Sequence, residues 1–217
     1  MSDMHPCFDV VFYRQGLAFC SERDTMIDVR IELPKDSTGI YKLLDQVFGS
    51  KRHRKTVYRL REGVLPIRSL CFVAEYMGEL RGSLRFWPIL INDTDQQLIH
   101  NALLLGPLAV DPGIRGRGVG EALMRNGLKL AQADGHERVI LVGDLSYYSV
   151  FGFKPVSCET FTLPGPVDQN RLLSQSLIPG AFDGVKGQVI PALPISARPV
   201  DAFNTRVAEV AHAENNN

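Results

Sequence analysis

Apolar and polar residues are arranged at the start of the chain in patterns that predict one strand and one helix. Between residues 26 and 33 they alternate, which is typical of a strand with one buried face. Pro34 ends this strand. Asp36 or Ser37 can cap a helix that runs to about Phe48.

Apolar runs in the middle of the chain predict further strands and a long helix. Residues 70–76 and 80–91 are apolar, favour strands and are separated by a short turn, so they predict a β-hairpin. Residues 103–110 form the next predicted strand. Residues 116–134 carry apolar side chains at helical spacing, and Gly135 is placed to end that helix.

The later part of the chain is less regular. Residues 138–142 predict a short apolar strand, and residues 146–151 suit one or two helical turns. A region spaced by Pro and Gly follows, then a predicted short helix over residues 200–211, while residues 8–13 suit an extra strand near the N-terminus. The order of elements, with one strand–helix–strand crossover after antiparallel strands, predicts a single mixed α/β domain.

Composition excludes several classes of partner and site. The 217 residues have zero formal net charge and 45% hydrophobic content, so we expect neither a nucleic-acid nor a membrane partner. No apolar run approaches the ~20 residues of a membrane helix, and no secretory leader is visible. The four cysteines are far apart, so we expect no metal site and a cytoplasmic location.

A glycine-dense turn joins the strand over residues 103–110 to the following helix. Its sequence R-G-R-G-V-G, residues 115–120, exposes several backbone N–H groups in one direction, at the positive end of the helix dipole. Such an arrangement favours the binding of a phosphate. The turn is neither a P-loop nor a dinucleotide fingerprint, because it lacks the Lys-Ser/Thr ending of the first and the glycine spacing of the second. The alternative is a tight turn whose glycines serve packing alone.

Three stretches resemble the GNAT superfamily of acetyl-CoA-dependent N-acyltransferases. V-D-P-G-I-R-G-R-G-V-G-E-A-L-M looks like its motif A, and G-D-L-S-Y-Y-S-V-F-G-F is similar to its segment after the fifth strand, which ends Y-x-x-x-G-F. F-V-A-E-Y-M-G-E-L-R-G-S-L-R-F-W resembles its second and third strands more weakly. The whole looks most like the bacterial "predicted N-acetyltransferase" group, over about residues 27–155.

This resemblance implies an architecture and a division of the chain. The fold would be the α/β (α+β) GNAT fold, a mixed, mostly antiparallel central sheet flanked by helices, with splayed parallel strands 4 and 5 holding acetyl-CoA between them. Residues 1–26 would be an N-terminal extension and residues 27–165 the acetyltransferase core. Residues 166–217 would complete the same domain, with a frayed tail over residues 213–217.

The resemblance also implies which residues bind acetyl-CoA. The backbone of Leu108, Ala109 and Val110 would face the thioester and the pantetheine arm, and the Leu108 N–H would be the oxyanion donor. The residues implied to hold the pyrophosphate, through backbone N–H groups and arginine charge, are Arg115, Gly116, Arg117, Gly118, Val119 and Gly120.

Tyr148 matches the family tyrosine four residues before the glycine of the G-F pair, and would protonate the leaving thiolate. A phenol suits that role because its ordinary pKa is about 10, so it keeps its proton at neutral pH. The alternatives are that Tyr148 is a core aromatic, or that Tyr147 is the acid. The amine would attack directly, so no covalent intermediate with the protein is expected.

The general base is not identified by the sequence. The fourth strand carries no carboxylate, unlike that of many family members. His100, at its start, is more typical of a strand end, and Glu75 and Glu79 flank a turn. A water chain, or an acceptor that arrives as free amine, remains open. Asp144 either contacts the cofactor arm, where relatives carry Asn, or caps the short helix that follows.

The basic run over residues 51–62 has two interpretations. It contains six Lys or Arg and one Glu. It is either a solvated helix face, or a patch near the acceptor groove that attracts an acidic substrate or the 3′-phosphate of CoA. His53 and Tyr58 are its only aromatic or imidazole residues, and so few rings among the basic residues do not support a nucleic-acid role.

Two functions follow from these observations. The first is an N-acetyltransferase that moves an acetyl group from acetyl-CoA to an amine of a small molecule or protein, acting as a monomer or homodimer. The alternative is a non-catalytic acyl-CoA-binding sensor, in which the same glycine-dense turn would bind the phosphates of CoA.

Overall fold

A mostly antiparallel sheet of nine strands organises the protein in the computed structural model, which describes residues 27–157 and 159–193. The strands are β1 (Ile27–Ile31), β2 (Cys71–Tyr76), β3 (Glu79–Asp93), β4 (Leu98–Val110), β5 (Arg138–Val142), β6 (Lys154–Pro155), β7 (Phe161–Thr162), β8 (Leu172–Ser176) and β9 (Gly187–Pro191). The helices are α1 (Ser37–Phe48), α2 (Thr56–Arg59), α3 (Val119–Ala133) and α4 (Leu145–Tyr148). The main strand order is β1-β2-β3-β4-β5-β8-β6, and β9 pairs with β3 and β7.

The elements predicted from the apolar pattern of the first 151 residues are confirmed wherever the structure describes them. β1 to β5, α1 and α3 all form, and a 3-10 turn over Ser149–Phe151 extends α4. In β1 the apolar side chains of Ile27 and Val29 pack against the core, whereas Asp28 between them is exposed. This is the alternation that a strand with one buried face requires.

Helices cover both faces of the sheet. α3 packs Leu123 and Met124 against one face, where Phe86 is fully buried. α1 packs Ile40 on the opposite face, against Val73. Burying each such large side chain contributes about 1.5–3 kcal/mol, so the sheet and the two helices hold each other in place.

The parallel strands β4 and β5 pair only between the middle of β4 and the beginning of β5. Leu103 is opposite Val139 and Leu104 is opposite Ile140, whereas β4 continues to Val110 without further pairing to β5. A bulge in β4 marks the same place, because Leu105 and Leu108 face the β3 residues Phe86 and Leu84. The two strands therefore diverge and leave a cleft, as the predicted splay of strands 4 and 5 requires.

The second half of the chain contains more strands than its Pro and Gly spacing predicts. β8 lies beside β5, and β9 pairs with residues 89–92 of β3. The β3–β4 hairpin is also longer than expected, because β4 begins at Leu98 instead of residue 103. The Pro and Gly spacing of the region after residue 154 predicts none of these strands.

Some expectations concern residues that the structure does not describe. The extra strand over residues 8–13, the helix over residues 200–211 and the tail over residues 213–217 lie outside the described residues, and the division of the chain into core and extensions stays a prediction. Within residues 27–157 and 159–193, no helix is long and apolar enough to span a membrane.

Candidate active site

A cleft of about 1720 Å³ opens where β4 and β5 diverge. Its walls come from the end of β4, the turn that follows, the first turn of α3, α4 and the segment between α1 and β2. The sequence-predicted residues that line it are Leu108, Val110, Arg115, Gly116, Arg117, Gly118, Val119, Gly120, Tyr147 and Tyr148. Ala109 differs, because its side chain is fully buried on the other face of the sheet, under α1.

Hydrogen bonds fix the start of the turn between β4 and α3. A carboxylate oxygen of Asp111 accepts the Gly113 N–H at 2.8 Å, and the second oxygen accepts from Arg81 at 2.5 Å. The Gly113 hydrogen bond, followed by the Arg81 hydrogen bond, lowers the pKa of Asp111. The Asp111 carboxylate therefore stays ionised and holds the turn at the end of β4.

The glycines of the turn adopt backbone conformations that favour glycine. Gly116 has φ of +78° and Gly118 has φ of +89°, and Gly118 is the N-cap residue of α3. This left-handed region is costly for residues with a Cβ. Arg115 and Arg117 are exposed at the cleft, and neither forms an ion pair with another described residue. The turn thus offers backbone N–H groups, a helix N-terminus and two available cations to an anion.

Tyr148 lines the cleft together with this turn. Its ring lies close to Gly143, in the space that a Cβ there would occupy, and it makes edge-to-face contacts with Tyr147 at 4.9 Å and Phe153 at 5.9 Å. Burial, and then the neighbouring Tyr147, raises the pKa of Tyr148 above its usual value. The phenol therefore keeps its proton throughout the neutral range.

Asp144 occupies the N-cap position of α4 without capping it. Its side chain makes no capping hydrogen bond, and pairs instead with Arg171 at 3.2 Å. Of the two alternatives for Asp144, the side-chain cap is therefore wrong, and contact with the cofactor arm stays a prediction for this lining residue.

Part of the basic run forms a wall of the cleft. The run folds as a 3-10 turn over Ser50–Arg54 followed by the short α2, and Arg52 is buried beside Asp45. Thr56 donates to the carbonyl of Pro166 at 2.5 Å, and Arg59 to that of Pro164 at 2.6 Å. The wall is thereby attached to the segment before β8, while four of the six basic side chains of the run are exposed. Both interpretations of the run, a solvated face and a patch near the acceptor groove, therefore remain predictions.

Few carboxylates reach the cleft, and each already has a partner. Among the lining residues only Glu121, Asp144 and Asp168 are acidic, and all three are exposed. Glu121 pairs with an arginine one turn further along α3, Asp144 pairs with Arg171, and Asp168 accepts a backbone N–H. None of the three is buried in the cleft.

The residues considered as bases in the sequence lie outside the cleft. His100 stands opposite Ile91 in the β3–β4 hairpin, and Glu75 pairs with Arg30. Glu79 pairs with Arg81 at the surface. Within residues 27–157 and 159–193, no group of three or more His, Cys, Asp or Glu residues is arranged to hold a metal ion.

The fold and the cleft match one family of enzymes. Residues 38–153 match the model of the Acetyltransferase (GNAT) family, and this match covers more than half of the chain. The chain belongs to the GNAT family. The prediction from its motifs is confirmed, both for the family and for the mixed sheet with splayed parallel strands.

Individual relatives support the assignment of this protein to the GNAT family. The uncharacterized N-acetyltransferase YhbS of Escherichia coli K12 is 32% identical over 162 residues, which are 74% of this chain and 93% of YhbS. A crystal structure of Escherichia coli YhbS in complex with CoA superposes with a TM-score of 0.63, covering 76% of this chain and 89% of that one. A GNAT acetyltransferase from Brucella melitensis, in complex with acetyl-CoA, is 28% identical with a TM-score of 0.50, covering 72% and 98%.

Proposed function

We propose that this protein transfers the acetyl group of acetyl-CoA directly to an amine of a small molecule or protein. The observation that carries this proposal is the cleft between β4 and β5, which is lined both by the glycine turn and by Tyr148. Its GNAT relatives from Escherichia coli and Brucella melitensis were crystallised with CoA and acetyl-CoA. Nothing among the described residues favours a non-catalytic sensor.

The glycine turn suits the pyrophosphate of acetyl-CoA. Backbone N–H groups from Gly116 to Gly120 lie at the N-terminus of α3, and a charge-assisted hydrogen bond to such a group contributes about 1.5–3 kcal/mol. Arg115 and Arg117 add positive charge on the same side of the cleft. The pantetheine arm would then follow Val110 and Ala109 back to Leu108, where β4 has left β5.

The acetyl transfer needs three groups in place. The Leu108 N–H would donate to the oxyanion that forms when the amine nitrogen attacks the thioester carbonyl. As the carbon–sulfur bond breaks, Tyr148 would give its proton to the departing thiolate and recover one from solvent. The proton lost by the amine nitrogen leaves to water, because the described cleft holds no buried carboxylate that could take it.

Several details stay predictions. The acceptor is an amine whose class is not fixed by the family, and the monomeric or homodimeric state and the cytoplasmic location rest on the sequence alone. The role of each residue named above likewise rests on the family motif and on its position in the cleft.

The proposal is tested by following thiol release from acetyl-CoA with and without a panel of small amines and peptides. We expect calorimetry to give an affinity for acetyl-CoA well above that for acetyl-pantetheine, which lacks the pyrophosphate, and thiol release that depends on the amine. Tight binding of acetyl-CoA without release on any amine would favour the sensor instead.

A further inference from the structure

Arg61 is a cation in the cleft that is largely buried and has no anionic partner among the described residues. Arg61 lines the cleft, yet none of the ion pairs among the described residues includes it. Its Nε atom is fully buried and has no hydrogen-bond partner. Burial lowers the pKa of the Arg61 guanidinium to about 10, which still leaves it charged at neutral pH. A charge kept out of water in this way is costly unless something pairs with it.

Two aromatic rings hold the Arg61 guanidinium in place. It lies 4.8 Å from the ring centre of Tyr58 and 5.6 Å from that of Trp87. Trp87 is itself fixed, because its indole N–H donates to the carbonyl of Gly106 at 2.8 Å. The rings stabilise the cation and restrict its direction, and the Tyr58 side chain also hydrogen-bonds with it. Neither ring supplies a carboxylate for the guanidinium, and the Nε–H group has no acceptor.

The guanidinium lies at the reacting end of the cleft, not at the pyrophosphate end. Its Nη2 atom is 3.4 Å from the position that a Cβ on Gly106 would occupy, in the bulge just before Leu108. Val110, where the phosphate turn begins, is four residues further along β4, roughly 13 Å in an extended strand. The phosphates of CoA bound at that turn therefore cannot be the partner of Arg61.

We infer that Arg61 binds a carboxylate of the acceptor, and that the acceptor is an α-amino acid or β-amino acid whose amine attacks the thioester at Leu108. This inference rests on the proposed function, since it names the substrate class of the same site. Gly106 and Leu108 are two residues apart, roughly 7 Å at most, so a short amino acid can place its amine at Leu108 while its carboxylate reaches Arg61. A single guanidinium neutralises one carboxylate, and its planar fork matches that group.

The surrounding charges support an anionic acceptor. Arg54 and Lys55 are exposed on the same wall, closer to solvent, and would attract a carboxylate towards the cleft. The three acidic residues of the lining all have partners of their own. The acceptor side of the cleft thus favours anions, as one interpretation of the basic run predicts.

The test compares acceptors that differ only in the carboxylate. The twenty amino acids and β-alanine are assayed beside their amides with wild-type protein, Arg61→Gln and Lys51→Gln. Lys51 is the matched control, because it belongs to the same basic run, is exposed and does not line the cleft. We expect the wild type and Lys51→Gln to prefer at least one acid over its amide by about 10-fold or more in kcat/KM. In Arg61→Gln that preference falls to within about 2-fold, with the affinity for acetyl-CoA unchanged.

A binding measurement keeps the inference testable without turnover or the variant. Trp87 is the only tryptophan of the chain and lies beside Arg61, so its fluorescence reports on a bound carboxylate. In the presence of CoA, N-acetyl amino acids should change that fluorescence, and their amides should not.

The outcomes separate the two claims. Acetylation of amides as fast as acids overturns the carboxylate site and leaves the acetyltransferase proposal standing. Carboxylate-selective fluorescence without any acetylation supports the site and counts against the transferase. If there is neither acetylation nor a selective response, both claims are wrong.

Discussion

The hydroxyl oxygen of Tyr147 lies 2.5 Å from the position that a Cβ on Gly120 would occupy. The two residues come from different walls of the cleft, Gly120 from the first turn of α3 and Tyr147 from α4. Because residue 120 lacks a side chain, the tyrosine can reach over the phosphate turn. This contact joins the turn to the helix that carries Tyr148.

Gly120→Ala should therefore weaken acetyl-CoA binding. In a helix, alanine is favoured over glycine by about 1 kcal/mol, but here the added methyl group pushes against the Tyr147 hydroxyl. We expect about a 10-fold loss of affinity by calorimetry, the result of roughly 1–2 kcal/mol of steric displacement.

The double variant Gly120→Ala/Tyr147→Phe is the control, since phenylalanine lacks the hydroxyl that the methyl group meets. It should recover most of the affinity, so the two substitutions are strongly non-additive. Equal losses of acetyl-CoA affinity in Gly120→Ala and in the double variant would show that the contact between residues 120 and 147 does not affect the glycine turn.

Gly118→Glu should abolish measurable acetyl-CoA binding. The substitution introduces a negative charge where the pyrophosphate would lie and forces a residue with a Cβ into φ of +89°. Gly135→Glu is a matched control, because Gly135 has φ of +82° at the other end of α3, in open space. Both variants should lose about 1–2 kcal/mol of stability for the left-handed backbone, measured by chemical denaturation. Unchanged acetyl-CoA affinity in Gly118→Glu would remove the pyrophosphate from this turn.

Tyr148→Phe should reduce kcat far more than the affinity for acetyl-CoA. Loss of a general acid lowers turnover by about 10²–10⁴-fold, whereas the ring, which packs on Gly143, is retained. Tyr147→Phe is the comparison and should keep most of its kcat. If Tyr147→Phe loses kcat and Tyr148→Phe keeps it, Tyr147 is the acid.

The pH dependence of kcat offers a separate check on Tyr148. Its pKa is raised by burial, so the protonated form persists to higher pH than in a free tyrosine. Deprotonation of Tyr148 should therefore not lower kcat between pH 7 and about 10, the ordinary pKa of tyrosine. A fall in kcat centred well below pH 10 that disappears in Tyr148→Phe would contradict this assignment.

Asp36 makes an ion pair that ties β1 to α1. Arg30 donates to both Asp36 oxygens, at 2.7 and 2.9 Å, and this hydrogen bonding is the main cause that lowers the pKa of Asp36 to about 2. A carboxyl whose pKa falls on folding stabilises the protein above its unfolded pKa of about 3.9 and loses that effect as the pH drops towards 2.

Asp36→Asn should then cost about 1–2 kcal/mol of unfolding free energy at pH 7, after allowance for partial solvent screening. Asparagine can still accept the Leu33 N–H, but its NH2 group replaces the oxygen that accepts from Arg30 Nη2, so the substitution removes the charge together with one hydrogen bond. The difference from wild type should shrink as the pH falls below about 4. Glu79→Gln, which removes an exposed pair with Arg81, should change stability little. A difference that is constant down to pH 3 would mean that the ion pair is not its source.

The central sheet could be predicted because its strands are long and strongly apolar. β4 begins earlier than predicted because Leu98 to Asn101 contain polar residues that only cross-strand pairing with β3 stabilises. β8 (Leu172–Ser176) and β9 (Gly187–Pro191) were missed because their local sequences are weak strand formers. They are strands because β5 and β3 offer them open edges, a non-local effect.

The donor side of the site could be predicted and the acceptor side could not. The glycine turn and Tyr148 belong to contiguous motifs, which a single sequence reveals. Arg61 is one of six cations in a basic run, and no local signal distinguishes it from Arg59. Its importance comes from burial beside Trp87, 26 positions away in the sequence, which only the folded chain shows.

The most direct test of the central claim is to follow the acetyl group itself. The protein is incubated with acetyl-CoA labelled in the acetyl carbons and with the amine panel. The masses of the products and of the intact protein are then measured by mass spectrometry. We expect the label in the amide of at least one amine, with no acetylated protein formed on the pathway. Bound acetyl-CoA whose label appears in no amine, at any protein concentration, would contradict direct acetyl transfer in this cleft.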